Sequence, residues 1–104
     1  MFPGQVVYSP NQRYHLNLQK DGNVVLYRQG QVIWATQTNG SRAKELRMQP
    51  DGNFVLYGRG KTLWATNTGG NPGAQLRVQN DGNMVIYTTD QRVIWATQTA
   101  RRQR

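Results

Sequence analysis

The chain has no cysteine, one histidine and only five acidic residues among its 104. Without cysteine there are no disulfides and no thiolate metal sites. The scarcity of histidine and acid leaves little for catalysis. His15 stands alone, and Asp21, Asp51 and Asp81 fall in separate segments, where they cannot form one carboxylate dyad; Glu45 and Asp90 complete the set. One motif carboxylate per segment is also too sparse for a calcium loop. No enzyme, no metal and no cofactor are expected, and His15 reads as a surface residue. Apolar content is low at 37%, enough for a modest core in a single domain, residues 1–104. No apolar run nears the roughly 18 residues of a membrane-spanning helix, so membrane insertion is not expected. Met1-Phe2-Pro3-Gly4 has neither a basic n-region nor an apolar h-region. The expectation is therefore a chain without a secretory signal, cytoplasmic as synthesised or released by a non-classical route.

The shortage of acid leaves 13 Lys and Arg unbalanced, for a net charge of +8. Such a charge invites a nucleic-acid partner. The basic residues are scattered, however, and only Arg101, Arg102 and Arg104 cluster, in a basic tail at 100–104. Dispersed charge marks a solvated surface, which argues against nucleic acid.

What the chain does contain is a repeat. Gln19-Lys20-Asp21-Gly22-Asn23-Val24-Val25-Leu26-Tyr27 returns from Gln49 to Tyr57 and from Gln79 to Tyr87, its starts at 19, 49 and 79 spaced by 30 residues. Gln, Asp, Gly, Asn, Val and Tyr are held in all three copies. The repeats cover about 12–38, 42–68 and 72–99.

Each copy reads as strands. Leu16 and Leu18 alternate with His15, Asn17 and Gln19 at strand period, and Leu46, Met48, Leu76 and Val78 fill the same slots later. Asp-Gly between alternating runs signals a hairpin. A two-residue loop would set Leu18 opposite Val25, whereas the three-residue loop Lys20-Asp21-Gly22 sets Leu18 opposite Val24 and Leu16 opposite Leu26. Only the longer loop gathers the aliphatic side chains on one face, and Pro50 suits the second position of its type I turn. After each Tyr a second turn leads to Ile33-Trp34-Ala35-Thr36, Leu63-Trp64-Ala65-Thr66 or Ile94-Trp95-Ala96-Thr97. Trp64 follows Trp34 by 30 residues and Trp95 follows Trp64 by 31, so one extra residue falls in the loop after Tyr87. A further short strand, Gln5-Val6-Val7-Tyr8, precedes the first copy. With no helical period anywhere, the chain is predicted to be all-β. Its repeats are too short for ordinary propeller blades. A closed pseudo-threefold arrangement fits, with the three Trp packed near the axis, and a β-trefoil is the second choice.

The three-residue loop leaves Gln19, Asn23, Val25 and Tyr27 facing away from the core, with Asp21 at the turn beside them. A face that only had to be wet could vary, as Asn17, Arg47 and Arg77 do. This one repeats an acid, two amides, a phenol and a small apolar side chain. That set suits a neutral polyol: carboxylates accept from hydroxyls, amides both donate and accept, and a valine can meet C–H bonds. Asp21-Gly22 alone would be only a turn, and Val25 alone only β-propensity. Gln19 and Tyr27 have no such local purpose.

The pattern Gln-x-Asp-x-Asn-x-Val-x-Tyr, present three times, resembles the monocot (snowdrop- or bulb-type) mannose-binding lectins over nearly the whole chain. The resemblance implies a type II β-prism of three four-stranded antiparallel sheets with pseudo-threefold symmetry. It also implies metal-independent, multivalent binding of mannose and mannose-rich glycans at three sites. Asp21 and Asn23 would hold the axial 2-hydroxyl, Gln19 the 3-hydroxyl and Tyr27 the 4-hydroxyl, with Val25 against the ring. Gln49, Asp51, Asn53, Val55 and Tyr57 would form the second site, and Gln79, Asp81, Asn83, Val85 and Tyr87 the third. Pairing of two chains by exchange of C-terminal strands is a further implication, with the strand Trp95 to Thr99 placed for it. Members often carry a disulfide-forming Cys where Gly22 stands, and its absence fits a reducing compartment. The alternative function is a protein-interaction or anionic-surface module on the same prism, using its basic surface.

Overall fold

The computed structural model describes residues 1–100; beyond Ala100, the basic tail lies outside them. Ten strands run in order: Val6–Tyr8 (β1), Tyr14–Leu18 (β2), Val24–Arg28 (β3), Gln31–Ala35 (β4), Ala43–Met48 (β5), Phe54–Gly58 (β6), Lys61–Ala65 (β7), Gln75–Val78 (β8), Met84–Tyr87 (β9) and Val93–Ala96 (β10). They form three antiparallel sheets, ordered β1-β2-β3-β4, β5-β6-β7 and β10-β9-β8. Four strands were expected in every sheet; among the described residues only the first sheet has them. The difference lies at the outer edge. The N-terminal segment can cover one edge fully, and β1 lies along β2. At β5 the same segment contributes a single rung: the Leu46 N–H donates to the Met1 carbonyl at 2.8 Å, and the Met1 amino group to the Leu46 carbonyl at 2.7 Å.

The hairpins adopt the three-residue loop. Leu18 faces Val24 and Leu16 faces Leu26, and the Gln19 N–H donates to the Asn23 carbonyl at 2.8 Å. Gly22 has φ +93°, and a Cβ there would run into the Ser41 backbone and hydroxyl; Gly52 and Gly82 share the conformation and crowd against Asn71 and against Tyr14 and Thr99. Positive φ and close approach both demand glycine.

Leu16, Leu18, Val24 and Leu26 are fully buried with Leu46, Phe54, Leu56, Met84 and Ile86 in one core shared by the three sheets. Each such side chain contributes about 1.5–3 kcal/mol. The three Trp meet at the axis as expected, edge to face in every pair, with ring centroids 5.6 Å apart for Trp34–Trp64 and 5.7 Å for the other two pairs. Ile33 beside Trp34 poses a problem, since adjacent strand residues point to opposite faces. A β-bulge resolves it: Trp34 pairs with Leu26 but Val32 pairs with Tyr27, leaving Ile33 as the extra residue. The same shift recurs at Leu63 and Ile94. Both members of each apolar pair thereby pack on the core.

Candidate functional site

Each site is built on the outer face of a central strand and on the hairpin turn that precedes it. Asp21 is exposed at the turn, Gln19, Asn23 and Tyr27 are half-buried, and Val25 lies beneath them. Val25, Val55 and Val85 are only 2%, 2% and 1% exposed, so each valine is the floor of its site and offers little open area.

The turn sets the acid. Asp21 Oδ1 accepts the Asn23 backbone N–H at 2.9 Å, as Asp51 and Asp81 do for Asn53 and Asn83. The second carboxylate oxygen makes no hydrogen bond among the described residues. Asn23 is fixed from the other side. Its Oδ1 accepts the Thr38 backbone N–H and the Thr36 hydroxyl, both at 3.2 Å. Because a backbone N–H can only donate, the amide oxygen must face Thr38 and the amide NH2 must face away. The result is a carboxylate acceptor and an amide donor side by side. A sugar hydroxyl, which donates once and accepts as well, can satisfy both.

Further along the face, the Gln19 amide Nε2 donates to the Tyr27 hydroxyl, and Gln49–Tyr57 and Gln79–Tyr87 repeat the bond. Side chains already bonded to each other lose less freedom when a ligand arrives. The structure therefore brings together four polar members of the motif in each copy, with Val beneath.

The sequence reading missed the Thr-x-Thr element after each Trp. The Thr36 hydroxyl accepts the Val24 N–H at 3.1 Å, and the Thr38 hydroxyl donates to the Gly22 carbonyl at 2.7 Å. Thr66 and Thr68, then Thr97 and Thr99, make the same bonds. The residue between them turns left-handed, with φ 61° at Gln37, 58° at Asn67 and 61° at Gln98. The signal was present as a tripled Thr-x-Thr. Its meaning depends on the strand folding back over the hairpin turn, which spacing does not reveal.

His15 is not a plain surface residue. It is half-buried and stacked on Tyr27, with centroids 4.9 Å apart and planes 21° apart, and Tyr8 lies on it at 5.3 Å. The position opposite the motif Tyr is His15 in the first sheet, Glu45 in the second and Gln75 in the third. The three sites thus share a centre and differ at the rim. Among the described residues no cluster of three or more acids or histidines could hold a metal ion.

No family model matches the chain, and no curated protein does. Solved structures do. Monomeric monocot mannose-binding lectins from Gastrodia elata are 37% identical, over 96% of this chain and 91% of theirs, with TM-score 0.86. The chain belongs to the monocot mannose-binding lectin family. The mannose-specific agglutinin of snowdrop, Galanthus nivalis, solved with methyl-α-D-mannoside, is 40% identical over 95% of this chain and 94% of its own, with TM-score 0.70. A domain-swapped lectin dimer from Mycobacterium smegmatis is also 40% identical, over 94% and 92%, with TM-score 0.56. This bulb-type lectin shares with them the type II β-prism, here with one four-stranded and two three-stranded sheets among the described residues.

Proposed function

We propose that this lectin binds mannose-containing glycans at three sites per chain, without a metal and without catalysis. One observation carries the proposal: three sheets present the same outward carboxylate, oriented amide NH2 and Gln–Tyr pair. Asp21 and Asn23 hold the 2-hydroxyl, Gln19 the 3-hydroxyl and Tyr27 the 4-hydroxyl, with Val25 beneath the ring, and the second and third copies do likewise. The snowdrop protein's mannoside complex supports the ligand class.

A handful of hydroxyl contacts, each worth about 0.5–1.5 kcal/mol net, gives single-site affinity on the order of millimolar. Retention on a glycan-coated surface then depends on several sites engaging together, which adds roughly 10²–10⁴-fold. A homodimer formed by C-terminal strand exchange would double the sites. The Mycobacterium smegmatis dimer supports that assembly and the monomeric Gastrodia lectins oppose it; light scattering at micromolar concentration separates a mass of 11.9 kDa from twice that value.

The test of function is elution from a mannan column. Free mannose releases a lectin that uses these sites. Release by salt alone, with mannose ineffective, would favour the basic-surface alternative.

A further inference from the structure

The third sheet departs from the other two in ways that meet at one place. Opposite the motif valine stand Asn17, Arg47 and Arg77 in turn. In the second sheet Glu45 neutralises the cation, its carboxylate accepting from Arg47 at 2.7 and 3.2 Å. In the third sheet the matching residue is the uncharged Gln75. Arg77 makes no ion pair among the described residues, and its guanidinium lies 5.2 Å from the centroid of the Tyr87 ring.

The extra residue of the third copy acts beside it. Two residues connect β3 to β4 and β6 to β7, whereas Thr88–Arg92 form a longer loop between β9 and β10. The loop is closed by the Thr88 N–H donating to the Arg92 carbonyl at 2.8 Å and the Arg92 N–H to the Thr88 hydroxyl at 3.0 Å. Between this loop and the site is a cavity of about 160 Å³, lined by Gln75, Arg77, Tyr87, Thr89 and Gln91 together with Gly73 and Thr88. No carboxylate lines it. Asp90, in the same loop, pairs with Arg92 at 3.3 Å. The Thr88 hydroxyl, and secondarily the Arg92 charge, hold its carboxyl below the usual range. Asp81 sits at the hairpin turn and lines a larger open cleft with Arg77, Gln79 and Tyr87; the Arg77 guanidinium itself lies against Tyr87, which pairs two rungs further from that turn. An anion in the cavity would meet one cation and uncharged donors.

We propose that the third site takes a mannose residue esterified at its 6-hydroxyl by phosphate or sulfate, with the anionic group beside Arg77. The inference rests on the mannose reading of Gln79 to Tyr87. There Tyr87 holds the 4-hydroxyl, and the 6-position is the neighbouring substituent left without a partner. The first site, with Asn17, and the second, with its paired Arg47, lack this preference.

The experiment is an NMR titration following the side-chain amides of all three copies, with mannose, mannose 6-phosphate, mannose 6-sulfate and glucose 6-phosphate. At the third copy the favoured ester should bind about tenfold more tightly than mannose, as expected for one charge-assisted contact. The gain should shrink with added salt and fall to about onefold in Arg77→Asn, while Arg47→Asn keeps it. The tighter of phosphate and sulfate identifies the ester. Equal gains at all three copies, no gain at the third, or a gain that survives Arg77→Asn would overturn the proposal. So would glucose 6-phosphate binding as tightly as mannose 6-phosphate, which would describe a bare anion site. Mannose alone reports separately on the underlying function: shifts at all copies with no ester gain would defeat only this inference, and no shift anywhere would defeat both.

Discussion

The backbone N–H of Thr38 donates to Asn23 Oδ1 at 3.2 Å, across 15 residues of chain. That bond gives the asparagine two tasks. Its oxygen ties the segment after β4 to the hairpin turn, and its NH2 is turned away from Thr38, where the proposed site would use it. The neighbouring aspartate's long-range bond, from the Gly40 N–H at 2.7 Å, is to its backbone carbonyl. Among the described residues its side chain bonds only two residues on, so side-chain mutation should separate the pair.

In the second sheet, Asn53→Ala removes the acceptor of the Thr68 N–H at 3.2 Å and of the Thr66 hydroxyl at 3.3 Å. Two lost bonds should cost about 1–3 kcal/mol. Asp51→Asn keeps an oxygen for the Asn53 N–H and should change stability by less than about 0.5 kcal/mol, as at an exposed position. Both changes should silence one site of three. Urea denaturation and calorimetric stoichiometry together check this; complete loss of binding in a folded Asp51→Asn protein would mean that the sites are not independent.

Gly52→Ala tests the turn. A side chain at φ +96° crowds the Asn71 backbone, so the expected loss exceeds about 1 kcal/mol. A melting temperature equal to that of the parent would show that the turn relaxes freely.

Trp64→Ala empties one third of the axial cluster, where Trp64 also meets Phe54 edge to face at 6.1 Å. The expected cost is about 3–5 kcal/mol, a large share of a small domain's stability. Trp64→Phe should recover part of it. If both variants melt like the parent, the triad contributes packing without stability.

Much of this was legible beforehand. Pro50 and the Leu16, Leu18, Val24, Leu26 alternation fixed the loop length, because a shift of one residue would have turned every aliphatic side chain outward. The axial Trp followed from their recurrence. The bulge did not, since Ile33-Trp34 reads equally well as a strand buried on both faces. His15 was misjudged because its partners, Tyr8 and Tyr27, are brought to it by β1 and β3 on either side of β2. The fourth strand was expected three times by likeness, but one N-terminal segment covers one edge.

Surface density probes multivalency. On dense mannan the apparent affinity should exceed that for free mannose by roughly 10²–10⁴-fold, and on sparse mannan it should approach the single-site value. Tyr27→Phe with Tyr57→Phe should weaken retention on dense mannan far more than binding at the third site. Surface plasmon resonance beside calorimetry measures both. Equal affinities throughout would mean that the three sites do not act together.

The most direct test of the central claim is an NMR titration with methyl α-mannoside and methyl α-glucoside in excess EDTA. These sugars differ only in the 2-hydroxyl assigned to the Asp–Asn pairs. The side-chain amide signals of Asn23, Asn53 and Asn83, and of Gln19, Gln49 and Gln79, should all shift saturably with mannoside and scarcely with glucoside. No shift with mannoside, equal shifts with both sugars, or shifts that appear only after calcium is restored would contradict a three-site, metal-independent mannose lectin.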